Sequence, residues 1–284
     1  MSFISQPLPR PWFDRAGRFS GFKLACFIIV LMPAAYLLWL TLSHNLGERP
    51  IDYALLQTGK WVIRFLILTL AITPLRRVSQ WNRLLIVRRM LGLATLAYAV
   101  LHFSLYGLQQ NFDLVHITSE IVLRFYLTIG FLALLGLVAL GVTSTDNSIK
   151  RLGAKKWNRL HSLVYGIAVL GLVHFVLQSK QDVSQAFTFA GIFVLLMGAR
   201  RIDKKGNASV WALLGLTIAA ALVTMLGEAF WYHLHGGVPL MRILSANIIW
   251  AIFPRPTHWV LAAGLLLAGL RLFRAPPKGG RAAA

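Results

Sequence analysis

Three histidines lie within long apolar stretches of the chain, where an ionisable side chain is costly. They are His102, His161 and His174, and the other five histidines fall in or beside the polar segments between such stretches. Ionisable residues within membrane segments usually mark function. Neutral imidazole is a strong axial ligand of haem iron, and a helical bundle can present one imidazole from each of two facing helices. The three residues therefore predict binding of b-type haem.

The depths of the histidines predict which of them act together. At about 1.5 Å per residue, His102 lies roughly 20 Å beyond Arg89, and His174 lies at nearly the same height beyond Arg159. His161 lies close to the basic end of its helix and is rotated by about 220° from His174. We expect His102 and His174 to clamp one haem, and His161 to ligate a second haem or another cofactor. The alternative is that these histidines form hydrogen bonds between helices.

Several cations could bind the acidic groups of such cofactors. Lys60 and Arg64 are four residues apart on one helical face, where they could pair with haem propionates, although Lys60 could equally extend to the membrane surface. Arg124 could also meet a propionate. Arg88 and Arg89 could hold a flavin phosphate, and the alternative is that they only anchor the helix at the membrane surface.

The remaining histidines carry weaker signals. His116 is expected in a short loop, 110–120, as a surface residue. His233 and His235 could bind a metal ion, but their spacing supplies no third ligand.

The composition predicts the elements that must position these residues. The chain has 284 residues, only 13% of them charged, and a mean hydropathy of +0.65, which excludes a soluble domain. A hydrocarbon core about 30 Å thick takes roughly 20 apolar residues per helix. We predict an all-α, polytopic transmembrane helical bundle of eight spans, or seven if Pro254 and Pro256 interrupt the last. The predicted spans are 22–42, 54–74, 90–109, 121–142, 160–178, 187–199, 209–230 and 247–270.

The basic residues alternate between the two sides of the membrane. Of the 29 Lys and Arg residues, 22 fall on one side and four on the other, which follows the positive-inside rule. The distribution predicts a multi-pass protein of the bacterial inner membrane with both termini in the cytoplasm and no cleavable signal peptide. It explains the net charge of +20 through topology and membrane lipid, with no need for nucleic acid. The basic clusters lie within residues 10–23, 76–89, 150–159, 200–205 and 271–281.

The loops predict the domain organisation. A cytoplasmic segment, 1–21, precedes a six-helix domain, 22–200, and a basic stop at 200–208 precedes an extension, 201–284, with one or two further spans. The single cysteine, Cys26, excludes a cysteine-ligated iron–sulfur cluster. The sequence has no glycine-rich motif for a nicotinamide cofactor or ATP.

Three runs of sequence resemble one family of membrane proteins. They are TGKWVIRFLILTLAITPLRR (58–77), RRMLGLATLAYAVLHFSLY (88–106) and TSTDNSIKRLGAKKWNRLHSLVYGIAVLGLVHF (143–175). They resemble the MsrQ family, the haem-binding membrane subunits of periplasmic methionine sulfoxide reductases, within the ferric-reductase-like transmembrane group. The resemblance implies haem b and FMN as cofactors. It also matches His102, His161 and His174 to the family's histidines, and Arg88 and Arg89 to its basic pair.

The resemblance implies an electron-transfer subunit and no catalytic residue of its own. Electrons would enter from the quinone pool or from a cytoplasmic flavin reductase, and would leave to a periplasmic molybdopterin-containing reductase subunit that repairs oxidised envelope proteins. One alternative is a cytochrome b anchor subunit of another membrane oxidoreductase. A second is a proton-coupled transporter that uses the histidines as a relay, and a third is an assembly factor.

Overall fold

The apolar runs of the sequence form helices, and seven helical stretches within the described part of the chain are long and apolar enough to cross a membrane. The computed structural model describes residues 11–13, 17–180, 182–204, 206–249 and 254–273. These residues form helices and no β-strand. The predicted all-α, multi-pass membrane architecture is therefore confirmed. The helices are α1 (Gly21–Leu42), α2 (Pro50–Ser79), α3 (Arg88–Gln109), α4 (Leu114–Leu123), α5 (Phe125–Val142), α6 (Asp146–Leu152), α7 (Ala154–His161), α8 (Val164–Gln178), α9 (Ser184–Ile202), α10 (Val210–Gly236), α11 (Leu240–Ile248) and α12 (Pro256–Leu272).

The seven candidate spans are α1, α2, α3, α5, the continuous stretch of α7 and α8, α9 and α10. The sixth span begins at Ser184, a few residues before the predicted start. The predicted domain boundaries and the sidedness of the loops stay predictions. Several of the residues behind those predictions lie outside the described part of the chain, namely residues 1–10, 14–16, 205, 250–253 and 274–284.

The fourth predicted span, 121–142, is divided in the structure. Arg124 adopts an extended conformation, with φ −106° and ψ 102°, and separates α4 from α5. Its guanidinium pairs with Glu120 at 2.6 Å, and its backbone amide donates to the Glu120 carbonyl at 2.9 Å. The apolar run continues through Ile121–Leu123, so hydropathy alone does not show this break. His116, predicted in a loop, lies in α4.

The last predicted span, 247–270, is also divided. The helix α11 ends at Ile248, and α12 begins at Pro256, where a proline fits the first helical turn because its missing N–H has no intrahelical partner there. The 17 residues of α12 make a helix about 25 Å long, which is shorter than the hydrocarbon core. It is therefore one of two shorter apolar helices beside the seven candidate spans.

The chain forms two compact units, one of residues 1–69 and 83–168 and the other of residues 70–82 and 169–284. In the first unit α3 packs against α1 and α5, and α4 packs against α5. In the second unit α9, α10 and α12 pack on one another at small residues. A Cβ on Gly264 would lie 2.2 Å from the Thr217 hydroxyl oxygen, so these helices approach closely.

Next to a proline inside α1, the helix backbone bonds to a side chain of α3. Pro33 lies inside α1 and has no backbone N–H. The Tyr98 hydroxyl of α3 donates to the Val30 carbonyl at 2.8 Å and accepts from the Ala34 amide at 2.9 Å. The hydroxyl thus bridges a carbonyl and an amide that bond directly to each other in an uninterrupted helix. Tyr98 also packs on Phe65 of α2, with ring centroids 5.0 Å apart.

Arginines secure the basic end of the second unit by donating to backbone carbonyls. Arg77 donates to the carbonyl of Arg200 at 3.2 Å, and Arg200 donates to that of Leu70 at 2.6 Å. Arg271 at the end of α12 donates to the Gly206 carbonyl at 2.6 Å. The Arg200 carbonyl lies in the last turn of α9, and the Leu70 carbonyl has no intrahelical donor because Pro74, four residues later, lacks an N–H. These cations therefore satisfy groups that hydrocarbon could not.

Candidate functional site

His102 is held by α2 through one of its two ring nitrogens. Its Nδ1 lies 2.9 Å from the Leu55 carbonyl and 3.4 Å from the Thr58 hydroxyl. The Thr58 hydroxyl donates to backbone carbonyls one turn earlier, including that of Ala54 at 2.8 Å. A carbonyl only accepts, so Nδ1 carries the proton and Nε2 carries the lone pair in the tautomer that this network assigns.

A glycine makes room for the ring. A Cβ on Gly59 would lie 3.0 Å from His102 Cε1 and 3.2 Å from Nδ1, closer than nearly all real contacts of a Cβ. Any other residue at this position would therefore displace the imidazole or the backbone of α2. Histidines that ligate metals usually donate their second N–H to a carbonyl or carboxylate, as His102 does to Leu55. The arrangement fits an axial ligand of haem iron that binds through Nε2.

Arg64 lies in the same unit, one turn beyond Lys60 on α2. Its guanidinium carbon lies 4.5 Å from the centre of the Trp61 ring, a cation–π contact. Trp61 packs on Phe65 at 5.4 Å. The indole stabilises the charge of Arg64 without neutralising it, so the guanidinium keeps its affinity for an anion such as a haem propionate. Lys60 is partly buried directly after Gly59.

His161 has the opposite tautomer. Its Nε2 lies 3.2 Å from the Thr143 hydroxyl, which donates its own proton to the Ala139 carbonyl at 2.7 Å. Nε2 is therefore the protonated nitrogen, and Nδ1 carries the lone pair. The ring stacks on Trp157 with centroids 3.9 Å apart, and the Trp157 indole donates to the Thr143 carbonyl at 2.8 Å. For His161 to ligate iron through Nε2, this contact with Thr143 would have to open.

Arg88 and Arg89 are exposed in the first turn of α3. Arg89 pairs with Asp146, at the start of α6, at 2.5 Å. The residue that precedes α3, Val87, provides no side-chain cap for the first amides of the helix. Helix N-termini with uncapped amides bind anions, and Arg88 adds a positive charge beside them. This end of α3 can accept a phosphate group.

The other predicted histidines are spread over the chain. His174 is partly buried in α8 and belongs to the second unit. Its pairing with His102 stays a prediction. His116, His233 and His235 are exposed, and His235 stacks on Trp231. Within the described ranges, no group of three potential metal-ligating side chains occurs.

The sequence analysis missed a buried polar network in the second unit. Glu228 of α10 is fully buried, pairs with Arg255 at 3.0 Å and accepts from the Asn247 amide at 2.8 Å. Thr257 donates to the Asn247 side chain at 2.7 Å. A signal was present, because Glu228 is the only carboxylate in the predicted span 209–230.

Comparison with known proteins gives a consistent family assignment. The family of ferric reductase like transmembrane components matches residues 58–172. A relative from Herminiimonas arsenicoxydans is 43% identical over 181 residues, covering 63% of this chain and 83% of the relative. A relative from Rhodospirillum rubrum is 42% identical over 190 residues, covering 66% of this chain and 89% of the relative. Both carry the name protein-methionine-sulfoxide reductase heme-binding subunit MsrQ.

This chain belongs to the MsrQ family. The predicted resemblance is confirmed. No solved structure matches the chain. The ferric-reductase-like region, 58–172, contains His102 and His161 and ends just before His174.

Proposed function

We propose that this MsrQ-family chain is the haem-b-binding membrane subunit of a periplasmic methionine sulfoxide reductase system. In this role it passes electrons from the quinone pool to a molybdopterin-containing reductase subunit. The observation that carries the proposal is the environment of His102, where a backbone carbonyl and a glycine orient an imidazole for metal ligation. The names of the relatives support haem and the methionine sulfoxide reductase system.

The residues of the His102 site have distinct roles in this proposal. Haem b, when bound, supplies a one-electron carrier within the membrane. His102 would hold the iron through Nε2, while the Leu55 carbonyl fixes the ring through Nδ1. His174 is the second ligand predicted from its depth in the sequence. Arg64 and Lys60 neutralise the propionates, which otherwise would be costly in a low-dielectric environment.

A second cofactor site is proposed at the basic end of α3. Arg88 and the first amides of α3 bind the phosphate of FMN, and Asp146 positions the neighbouring Arg89. His161 bonds to Thr143, three residues before the Asp146 that pairs with Arg89. It therefore belongs to this end of the first unit. That His161 ligates a second haem stays a prediction. In this tautomer Nδ1 carries the lone pair and is the nitrogen that could bind the iron.

The decisive experiment is an absorption spectrum of the full-length protein in detergent, oxidised and then reduced with dithionite, together with a pyridine haemochrome assay. We expect sharp reduced bands of b-type haem, and the ratio of haem to protein gives the number of sites. A colourless protein, produced with sufficient haem, would contradict the proposal and favour the proton-relay alternative.

The partner is tested separately. Proteoliposomes that contain this chain, a quinol and the purified periplasmic reductase should reduce methionine sulfoxide, and an Arg88→Ala variant should lower the rate and the FMN content together. A haem-loaded protein that transfers no electrons to this reductase but co-purifies with another oxidoreductase would instead indicate the anchor-subunit alternative.

A further inference from the structure

The helix α4 presents an apolar face that no other described part of the first unit covers. Leu114, Val115, Val122 and Leu123 are between 72% and 82% exposed. Thr118 and Ser119 lie between them, and the six residues together line a shallow groove. Water would contact almost all of this face if α4 lay on an aqueous surface, so the face needs a partner.

The exposed face and the packed face of α4 are clearly separated. At about 100° per residue, Ile117, Glu120 and Ile121 lie on one side of the helix, and the apolar groove lies on the other. Ile117 is 7% exposed and packs toward α5. The rotation of α4 about its own axis is therefore fixed, because a rotation that buried the apolar groove would expose Ile117.

Short connections hold α4 at the end of the membrane-spanning helices. A single extended residue, Arg124, joins it to α5, and the Thr128 hydroxyl in the first turn of α5 donates to the Ile121 carbonyl. The turn from α3 is equally short, and the Phe112 ring lies over Gly107, where a Cβ would be 3.2 Å away. The helix α4 consequently lies where the span α3 ends and the span α5 begins.

We propose that α4 is an interfacial helix whose apolar face inserts among the lipids of the leaflet opposite the basic loops. The candidate span α5, which follows directly, also presents exposed apolar side chains, beginning with Phe125, 73% exposed, and including Leu132 and Leu135. Helices with one apolar face lie in the plane of the interface and bury that face at the boundary of headgroups and acyl chains. This proposal does not depend on electron transfer.

The chemistry of the face favours lipid over a protein partner. The groove contains only aliphatic side chains and two hydroxyls, and the ionisable residues of the segment lie outside it, at Asp113, His116, Glu120 and Arg124. Binding surfaces for proteins are enriched in aromatic residues and arginine at their centres. Acyl chains make no hydrogen bonds and require no such groups.

The test uses the full chain in lipid nanodiscs, with single cysteines in a Cys26→Ser background and an environment-sensitive fluorophore on each. Labels at Val115 and Val122 report the apolar face. A label at the exposed His116, at the edge of the groove and about 110° from its centre, is the matched control. We expect quenching by lipids with a nitroxide near the headgroup to be at least about twofold stronger at Val115 and Val122 than at His116. Quenching by aqueous iodide should show the reverse order.

Three results would overturn the proposal. Labels at Val115 and Val122 that are as accessible to iodide as the label at His116 would place the face in water. Protection that appears only when the purified periplasmic reductase is added would assign the face to that protein. Protection that depends on the number of copies per nanodisc would assign it to a second copy of this chain. The melting temperature of each labelled variant reports whether the fold is intact.

Discussion

At the scale of single residues, the first unit contains two imidazoles with opposite tautomers. The Nδ1 of His102 donates to a backbone carbonyl, whereas the Nε2 of His161 donates to a threonine hydroxyl. Nε2 is the nitrogen farther from the side-chain stem and more easily reaches a bulky ligand such as haem. The two histidines should therefore respond differently to substitution, although the sequence treats them alike.

The first prediction concerns the haem ligands. His102→Ala and His174→Ala should each remove the same haem, and His161→Ala should leave that haem in place, because its Nε2 is bonded to Thr143. The measurement is the pyridine haemochrome ratio with the reduced spectrum of each variant. His116→Ala is the control with an exposed histidine. If His102→Ala and His174→Ala lost spectrally different haems, the predicted pairing would be wrong.

The second prediction concerns the residue that makes room for His102. Gly59→Ala places a Cβ 3.0 Å from the ring and should weaken haem retention on the order of tenfold, as changes around metal ligands do. It should also alter the low-spin electron paramagnetic resonance signal, because the ring plane rotates. Gly166→Ala is the matched control, since a Cβ at Gly166 meets nothing within 4 Å. Equal retention in both variants would show that Gly59 does not position His102.

The sequence predicted which side chains could bind a cofactor but not how they are oriented. The types and depths of His102, Arg64 and Arg88 follow from the order of residues and the helical rise. The roles of the Leu55 carbonyl and of Gly59 depend on the rotation of α3 against α2, which one sequence does not specify. The network of Glu228 was not predicted, because its partners Asn247 and Arg255 reach it only through the packing of the helices.

At the scale of elements, the segment before α9 contains a carboxylate that links stability to pH. Hydrogen bonds from Ser184 lower the pKa of Asp182 below its ordinary value, with a further contribution from Tyr232. Asp182 lies in the polar segment before α9, outside the spans. A depressed folded-state pKa means that the contribution is complete above the unfolded-state pKa and disappears as pH falls through the folded-state value.

The third prediction follows from the lowered folded-state pKa of Asp182. Wild type should melt at a higher temperature than Asp182→Asn above about pH 5, and the difference should shrink as the pH falls below about 4 and then through the lowered folded-state pKa. The measurement is thermal unfolding in detergent across this range. A difference that stays constant down to pH 3 would show that the charge of Asp182 does not contribute.

The fourth prediction concerns the ion pair between α10 and the start of α12. Arg255→Ala leaves the fully buried Glu228 without its cation and should destabilise the second unit by roughly 3–5 kcal/mol. Replacing both residues by methionine should recover most of that loss, because no unpaired charge remains. Unfolding in mixed detergent micelles measures both variants, and Arg242→Ala, at an exposed arginine of α11, is the control. No difference between Arg255→Ala and this control would contradict the prediction.

At the scale of the whole molecule, the two ends of α12 indicate how many times the chain crosses the membrane. Arg255, before α12, pairs with Glu228 toward the end of α10, and Arg271, at the end of α12, bonds to Gly206 before α10 begins. The two helices are therefore antiparallel and extend between the same two levels. A helix about 25 Å long can cross when polar ends are anchored in this way.

The fifth prediction is that α12 is an eighth span and returns the C-terminus to the cytoplasm. A green fluorescent protein fused after Ala284 should fluoresce, and alkaline phosphatase fused after Gly237 should be active, because each reporter works on only one side of the inner membrane. A reporter fused after Lys204 is the control for a site that is predicted to lie in the cytoplasm. If alkaline phosphatase fused after Ala284 is active and green fluorescent protein at the same position is not, the chain crosses the membrane seven times.

Hydropathy and charge predicted the architecture well, because both are imposed by the bilayer rather than by details of packing. The all-α class and six of the helical spans follow from apolar length alone. The breaks at Arg124 and before Pro256 did not follow, because each depends on local ion pairs and backbone conformation within an apolar run. The same limit applies to α4, which hydropathy merges with the span that follows it.

The contact of the Tyr98 hydroxyl with the backbone of α1 also has a consequence for biogenesis. During synthesis α1 leaves the translocon before α3 exists, and in hydrocarbon the Ala34 amide and the Val30 carbonyl then have only each other as partners. We expect the first helix to insert with these two groups bonded to each other, and the third helix to add its phenol as a shared partner afterwards. The contact of Tyr98 with α1 is in this sense a late event, set by the order in which the ribosome releases the helices.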